Sequence, residues 1–290
     1  MFVFRAAVVG AGVMGGEIAQ VIAASGIPVV LKDVDQKFVD AGLTKAREVT
    51  EGQGAKLVKK GKLSEADAKA QAEHTLARIT GTTDYDEFGD VDFVIEAVPE
   101  KMEIKHAVFA ELDACTPGHA ILASNTSGLS ITEIGDATNR PDKVVGFHFF
   151  WPASYMRLIE VIEGEDTSPE TAQAAANFAQ AIKKMPVRCQ ECPGFVVNRI
   201  LVSTASEIWR YQDETGTPPE QLDAFITANA NMPMGPFRVA DMSGLDTVVK
   251  VARDMRDAYG DRFYVHRGME ELVERGDLGA KTGKGFYEHT

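Results

Sequence analysis

"AAVVGAGVMGGEIAQVIAASGIPVVLKD", residues 6–33, moves from a short apolar run through a cluster of glycines into a helical pattern and back to an apolar run. Ala6–Gly10 has the length and character of a buried strand. Val13, Ile18, Val21 and Ile22 then recur at helical spacing until Gly26 stops the pattern. The run 28–33 is a second strand. Strand, tight turn, helix and strand in so few residues open a parallel βαβ unit. Inside it, Gly10, Gly12 and Gly15 form G-x-G-x-x-G between strand and helix. The first two glycines permit a tight turn and close approach of a pyrophosphate to backbone N–H groups. The third lets the helix pack on the strand, and the helix N-terminus favours phosphate charge.

Asp33 closes the second strand. A carboxylate there accepts hydrogen bonds from the adenosine ribose hydroxyls and repels a 2′-phosphate, so NAD is expected rather than NADP. Lys32 precedes it, but strand alternation points its side chain to the opposite face.

Further along, residues 37–79 are rich in Ala, Lys, Glu and Leu and read as two helices parted near Gly61, a helical hairpin projecting from the sheet. Strands are expected at 91–98 and 120–124, with a helix at 99–114 between them. Two more strands follow in "KVVGFHFF" and "RLIEVIEG", then a helix at 168–185. Past "CPGFVVNR" (192–199) the alternation stops, leaving helical segments such as 196–211, 219–230, 244–258 and 267–275. The expected fold is an α/β Rossmann-type dinucleotide-binding domain with an inserted helical hairpin (1–187), followed by an all-α C-terminal domain (188–290). The boundary zone is 186–193.

Composition narrows the class of protein. The 290 residues are 44% hydrophobic and 25% charged, with a formal net charge of -13. That is the balance of a globular protein, and it argues against nucleic-acid binding, which needs a basic face. The apolar start of the chain is broken by glycines and falls short of membrane-spanning length, so it reads as a mature, soluble N-terminus. Cys115, Cys189 and Cys192 cannot make a disulfide framework, which points to a reduced, cytoplasmic protein. Cys189 and Cys192 form a C-x-x-C, which could be redox-active or half a zinc site. No second Cys pair completes a zinc site, and no metal is expected.

"VVGFHFFWPASYMRLIEVIEG" (144–164) places His148 in one apolar run and Glu160 in another. Buried, each is costly without a partner. If the two runs pair antiparallel around a turn centred on Ser154, His148 faces Glu160 on the same side. An imidazole against a carboxylate is either a satisfied core pair or a general base with its orienting group; the neighbouring dinucleotide turn favours the base.

Together with the glycine turn, "FVIEAVPE" (93–100), "ASNTS" (123–127), "HFF" followed by Pro152, "LIEVIEG" (158–164), "CPGFVVNR", "MGPFRVADMSGLD" (234–246) and "KTGKGFY" (281–287) resemble the L-3-hydroxyacyl-CoA dehydrogenases of fatty-acid β-oxidation, of the 3-hydroxybutyryl-CoA dehydrogenase type. The resemblance runs nearly the whole chain in family order. It implies NAD-dependent, reversible oxidation of (S)-3-hydroxyacyl-CoA thioesters in a cleft between the two domains of a homodimer paired through the helical domain. It further implies that His148 takes the 3-hydroxyl proton, that Glu160 orients His148, and that Ser127 and Asn198 hydrogen-bond the substrate. Gly10, Gly12, Val13, Met14, Gly15, Asp33, Ala97, Glu100, Lys105 and Asn125 would hold the cofactor. By their residue types alone, Asn125 and Ser127 could equally be turn formers or helix caps, and Asn198 a capping or interhelix residue.

Lys56 and Lys59 belong to "AKLVKKGKL" (55–63), a stretch without acidic residues. It reads either as a solvated helix face or, by the resemblance, as the part of the hairpin that covers the CoA nucleotide. One departure stands out: the family usually has Asn between "HFF" and Pro, and this chain has Trp151, which bears on the pocket beside the base and on acyl length. Two other functions fit the same fold: a dehydrogenase of a free hydroxy acid of sugar-acid or carnitine type, and a non-enzymatic NAD-binding protein.

Overall fold

The computed structural model describes residues 2–230 and 232–289. The opening unit forms as its pattern demands: β1 (Ala6–Val9), α1 (Val13–Ala24) and β2 (Val29–Lys32). Both strands are buried along their length, as parallel strands covered on two faces must be. Next come α2 (Gln36–Lys59) and α3 (Glu65–Leu76), the expected hairpin, with Gly61 at positive φ in the turn. Then follow β3 (Ile79–Thr82), β4 (Phe93–Glu96), α4 (Met102–Cys115), β5 (Ile121–Ser124), α5 (Ile131–Gly135), β6 (Val144–Phe149), β7 (Leu158–Glu163), α6 (Pro169–Ala181) and β8 (Met185–Gln190).

These strands make one sheet in the order β3-β2-β1-β4-β5-β6-β7-β8. All neighbours are parallel except β6 and β7, which are antiparallel. Chain reversal between β1 and β4 puts the topological switch point beside the glycine turn, where open α/β sheets bind ligands. The core under the sheet joins Val8, Ile18, Ile22, Leu31, Ile95 and an aromatic group. Phe93 lies 5.2 Å from Phe147 and 4.5 Å from Phe178, centroid to centroid.

Three elements of this unit escape the sequence pattern. β3 is "ITGT", half exposed at the sheet edge, with too little apolar content to register as a strand. β8 is "MPVRCQ", where a helix was expected to run on to 185; α6 ends at Ala181, and Lys183 turns the chain at a φ of 63°. Pro186 within β8 is tolerated because the strand is at the edge. α5 is a single short helix. Because β8 completes the sheet, the first compact unit ends at Cys192, and the expected boundary at 187 would cut a strand.

The second unit, 193–290, is helical: α7 (Val197–Thr215), α8 (Pro219–Asn229), α9 (Pro236–Ser243), α10 (Leu245–Tyr259) and α11 (Arg267–Glu274). Its core gathers Trp209, Phe237, Leu245, Met255, Phe263 and Met269. The "KTGKGFY" stretch is held to α9 by Asp241. That buried carboxylate accepts the N–H of Phe286 at 3.0 Å and of Tyr287 at 2.9 Å, and lies 2.8 Å from His289 Nε2. A Cβ on Gly285 would fall 2.3 Å from the Asp241 carboxylate, so this turn admits only glycine.

Candidate active site at the carboxyl edge of the sheet

The glycine turn has room on one side only. Gly10 takes a φ of +100°, and a Cβ there would fall 2.5 Å from the Ala97 carbonyl oxygen. A Cβ on Gly15 would lie 1.7 Å from the Gly10 carbonyl oxygen, so α1 packs on the turn only with glycine. Above Gly12 nothing comes within 4 Å, and no side chain caps α1. An uncapped helix N-terminus under an open glycine is a seat for a pyrophosphate. Val13 is exposed at this opening, while Met14 packs inward against the core.

Asp33 is held beside the turn: Oδ2 accepts the Ala11 N–H at 2.7 Å and Oδ1 accepts the Val34 N–H at 2.7 Å. A carboxylate has about four acceptor positions, so two ribose hydroxyls can still be received. Lys32 points the other way, buried with its ammonium 4.1 Å from the Tyr85 ring centroid. The turn and its acidic neighbour thus fit NAD.

A second group of charges closes the ends of β4 and β5. Lys105 is 1% exposed, and its Nζ lies 2.7 Å and 2.9 Å from the two oxygens of Glu96, which is fully buried. It also pairs with Glu100 at 3.2 Å. Glu96 further accepts the Ser124 hydroxyl at 2.6 Å and the Val98 N–H at 2.7 Å. Glu100 accepts the Thr126 hydroxyl at 2.5 Å and the Ser127 N–H at 2.9 Å. Lys105 is therefore a buried bridge that fixes Glu100, and Glu100 fixes the loop carrying the exposed Ser127. Asn125 ties the same loop to β6, its Oδ1 accepting the Phe149 N–H at 2.9 Å. Ala97, half buried, follows β4 and packs under Gly10. Of this cluster the family resemblance had named Glu100, Lys105, Asn125 and Ser127 as candidates; Glu96, Ser124 and Thr126 were not singled out. The available signal was a glutamate inside the otherwise apolar run "FVIEAV".

His148 and Glu160 are directly opposite in the antiparallel register of β6 and β7. His148 Nδ1 lies 2.8 Å from Glu160 Oε2, with the residues 5% and 1% exposed. A carboxylate only accepts here, so Nδ1 carries a proton, and in the neutral form of the ring the lone pair is on Nε2. Phe150 packs against the imidazole, centroids 4.6 Å apart. The pair stands at the same edge of the sheet as the glycine turn, since β1 and β6 run in the same direction.

The remaining candidates are placed as follows. Asn198 is in the first turn of α7, in the second unit. Lys56 and Lys59 occupy the last turn of α2, exposed, where cations also complement the helix dipole. The Cys189 thiol is pushed up to about 12, by burial first and then by the charges of Glu160 and Glu163. A thiol held so far from thiolate is a poor nucleophile or metal ligand.

A glycine turn of this kind, with a carboxylate closing the second strand, serves NAD; the chain is an NAD-dependent oxidoreductase. Residues 5–192 match the model of the 3-hydroxyacyl-CoA dehydrogenase NAD binding domain, and residues 194–289 match that of the 3-hydroxyacyl-CoA dehydrogenase C-terminal domain. The 3-hydroxybutyryl-CoA dehydrogenase of Clostridioides difficile is 40% identical over 286 residues, covering 98% of this chain and 99% of that protein. The crystal structure of (S)-3-hydroxybutyryl-CoA dehydrogenase PaaH1 from Ralstonia eutropha superposes with a TM-score of 0.91 at 36% identity, covering both chains completely. A diketoreductase described as acting on dicarbonyl compounds gives 0.81 at 29% identity, again over both whole chains. The chain belongs to the 3-hydroxyacyl-CoA dehydrogenase family.

Proposed function

We propose that this protein interconverts (S)-3-hydroxyacyl-CoA and 3-ketoacyl-CoA, with His148 as the general base and Glu160 as its orienting group. The observation that carries the roles is the 2.8 Å contact between His148 Nδ1 and Glu160 in a nearly dry site. NAD, held at Gly10–Gly15 and Asp33, supplies when bound an acceptor for the hydride leaving C3 of the substrate. His148 Nε2 takes the 3-hydroxyl proton as the C3–O bond becomes a carbonyl. Glu160 offsets the charge that appears on the imidazole, and in the reverse direction the imidazolium returns the proton. Ser127, on the loop fixed by Glu100, and Asn198 hydrogen-bond the substrate oxygen and acyl carbonyl. Lys56 and Lys59 face the phosphates of CoA.

The same reading includes a homodimer paired through the helical unit, where Ile200, Leu201, Tyr211 and Phe225 are exposed apolar side chains, and a cytoplasmic location. Light scattering at micromolar protein tests the dimer. The decisive assay follows NADH consumption across acetoacetyl-CoA, longer 3-ketoacyl-CoAs and free 3-keto acids. Turnover of the thioesters is expected; turnover of the free acids alone would overturn the CoA assignment in favour of a hydroxy-acid dehydrogenase.

A further inference from the structure

The loop between β6 and β7 is exposed, yet two buried charges fix its backbone. Glu17, in the second turn of α1 and 2% exposed, accepts both the N–H and the hydroxyl of Ser154 at 3.0 Å through Oε2. Its other oxygen lies 3.5 Å from Lys45 Nζ. Lys184 donates to the carbonyls of Ala153 at 2.5 Å and Met156 at 2.7 Å, and burial lowers its pKa although Glu17 nearby acts to raise it. Burying a carboxylate and an ammonium is at best neutral for stability, so such groups are weak evidence of a stabilising role. They are effective at holding backbone in one place.

What they hold is an apolar surface. Trp151 is 56% exposed, and Tyr155 and Met156 are exposed beside it. The loop leaves β6 immediately after His148 and Phe149 and returns to β7 at Leu158, two residues before Glu160. Trp151 therefore stands within about 10 Å of His148 along the chain. Exposed apolar side chains on one fixed loop are candidates for ligand contact, and a rigid aromatic ring contributes area at little entropic cost.

We propose that Glu17, acting through Ser154, is a positioning residue that holds this loop as a preformed apolar shelf, and that Trp151 on the shelf receives the acyl tail of substrates longer than acetoacetyl-CoA. The proposal rests on the hydroxyacyl-CoA reading above and adds the group that selects tail length.

The test compares kcat/KM for 3-ketooctanoyl-CoA and acetoacetyl-CoA in the unaltered protein and in Trp151→Ala, Glu17→Gln and Ser154→Ala. Trp151→Ala should lower the octanoyl-to-acetoacetyl ratio by about tenfold, mainly through KM, as expected for lost ground-state binding. Glu17→Gln should lower the same ratio although Trp151 is still present. Ser154→Ala keeps the N–H contact and should shift the ratio less, in the same direction; it also serves if Glu17→Gln does not fold. A purely structural role for Glu17 would lower the melting temperature and slow both substrates equally, leaving the ratio unchanged. That result overturns the proposal. So does a ratio that rises in Trp151→Ala, which would make the ring a steric stop, or a matching rise in the NADH KM, which would trace the effect to the cofactor turn. If the unaltered protein turns over neither thioester, the parent reading falls and takes this proposal with it.

Discussion

Replacing Glu160 by Gln keeps the size of the side chain and removes its charge. The structure predicts two losses. Glu160 Oε2 sits 2.8 Å from His148 Nδ1, both residues being nearly fully buried, so the imidazolium formed during oxidation has its carboxylate partner at contact distance. Two unit charges about 4 Å apart at an effective dielectric near 20 attract by about 4 kcal/mol, which converts to roughly a thousandfold in rate. The amide can also turn its NH₂ toward Nδ1. That would drive the proton to Nε2 and leave no base facing the substrate. We therefore expect kcat for 3-hydroxybutyryl-CoA oxidation to fall about 10³-fold, within the 10²–10⁴ range typical of a positioned base. His148→Gln should fall within that range too, with little change in NAD affinity. The double variant should be no slower than the slower single one, because the two residues act as a unit. The assay is initial-rate NADH formation at saturating NAD, repeated with substrate deuterated at C3 to confirm that chemistry limits the rate. A Glu160→Gln enzyme within a few-fold of normal beside an inactive His148→Gln enzyme would refute the orienting role. Additive losses in the double variant would refute the idea of a unit.

Three further outcomes are expected. Asp33→Ala should weaken NAD binding and narrow a strong preference for NADH over NADPH; equal kcat/KM for both cofactors in the unaltered protein would overturn the ribose assignment. Lys56→Ala and Lys59→Ala should raise KM for acetoacetyl-CoA with a substrate truncated at pantetheine unaffected, and the effect should fade with salt because screening acts over about 8 Å at physiological ionic strength. His266 accepts the Met269 N–H at Nδ1 and faces Gln212 Oε1 with Nε2, so it is held neutral, and burial lowers its pKa despite Asp213 and Glu271 nearby. The unfolded chain then binds a proton that the folded one resists, so stability should fall as pH drops below about 6.5, by up to about 1.4 kcal/mol per pH unit. Thermal melts across that range should show the loss in the unaltered protein and a flatter profile in His266→Gln.

How much of this was legible in the sequence depended on whether the signal was local. The first βαβ unit was readable because each strand is buried on both faces and each glycine answers a local contact, such as the 1.7 Å approach at Gly15. The His148–Glu160 register was readable because a hairpin ties pairing to turn position, and the pairs Gly146–Ile162 through Phe149–Ile159 follow it. β3 and β8 were not, because edge strands need little apolar burial and "ITGT" and "MPVRCQ" supply little. α9 was not read as a helix, its glycine-flanked residues having been taken only as part of "MGPFRVADMSGLD". The partners of Glu96 were hidden for a different reason: Lys105 comes from the following helix and Ser124 from the next strand, so the cluster exists only once β4 and β5 pair. Glu17 carries no local sign of burial, and only the position of Ser154, far along the chain, shows its partner.

Glu17, Glu96, Lys105 and Glu160 are nearly or fully buried ionic groups, and all belong to the carboxyl edge of one sheet. Desolvation offsets most of the attraction in such a pair wherever it is placed, so stability is a weak reason for burying these four. Each of these groups instead restrains a segment bearing a candidate functional side chain. Glu96 and Lys105 fix Glu100 and through it the Ser127 loop, Glu160 fixes the His148 ring, and Glu17 fixes the turn beyond it. Hydride and proton transfer tolerate small errors in distance poorly, and groups held before substrate arrives need no reorganisation when it does. The local rules that this sequence breaks, charges inside apolar strands and helices, are therefore broken where fixed geometry matters more than the free energy of burial.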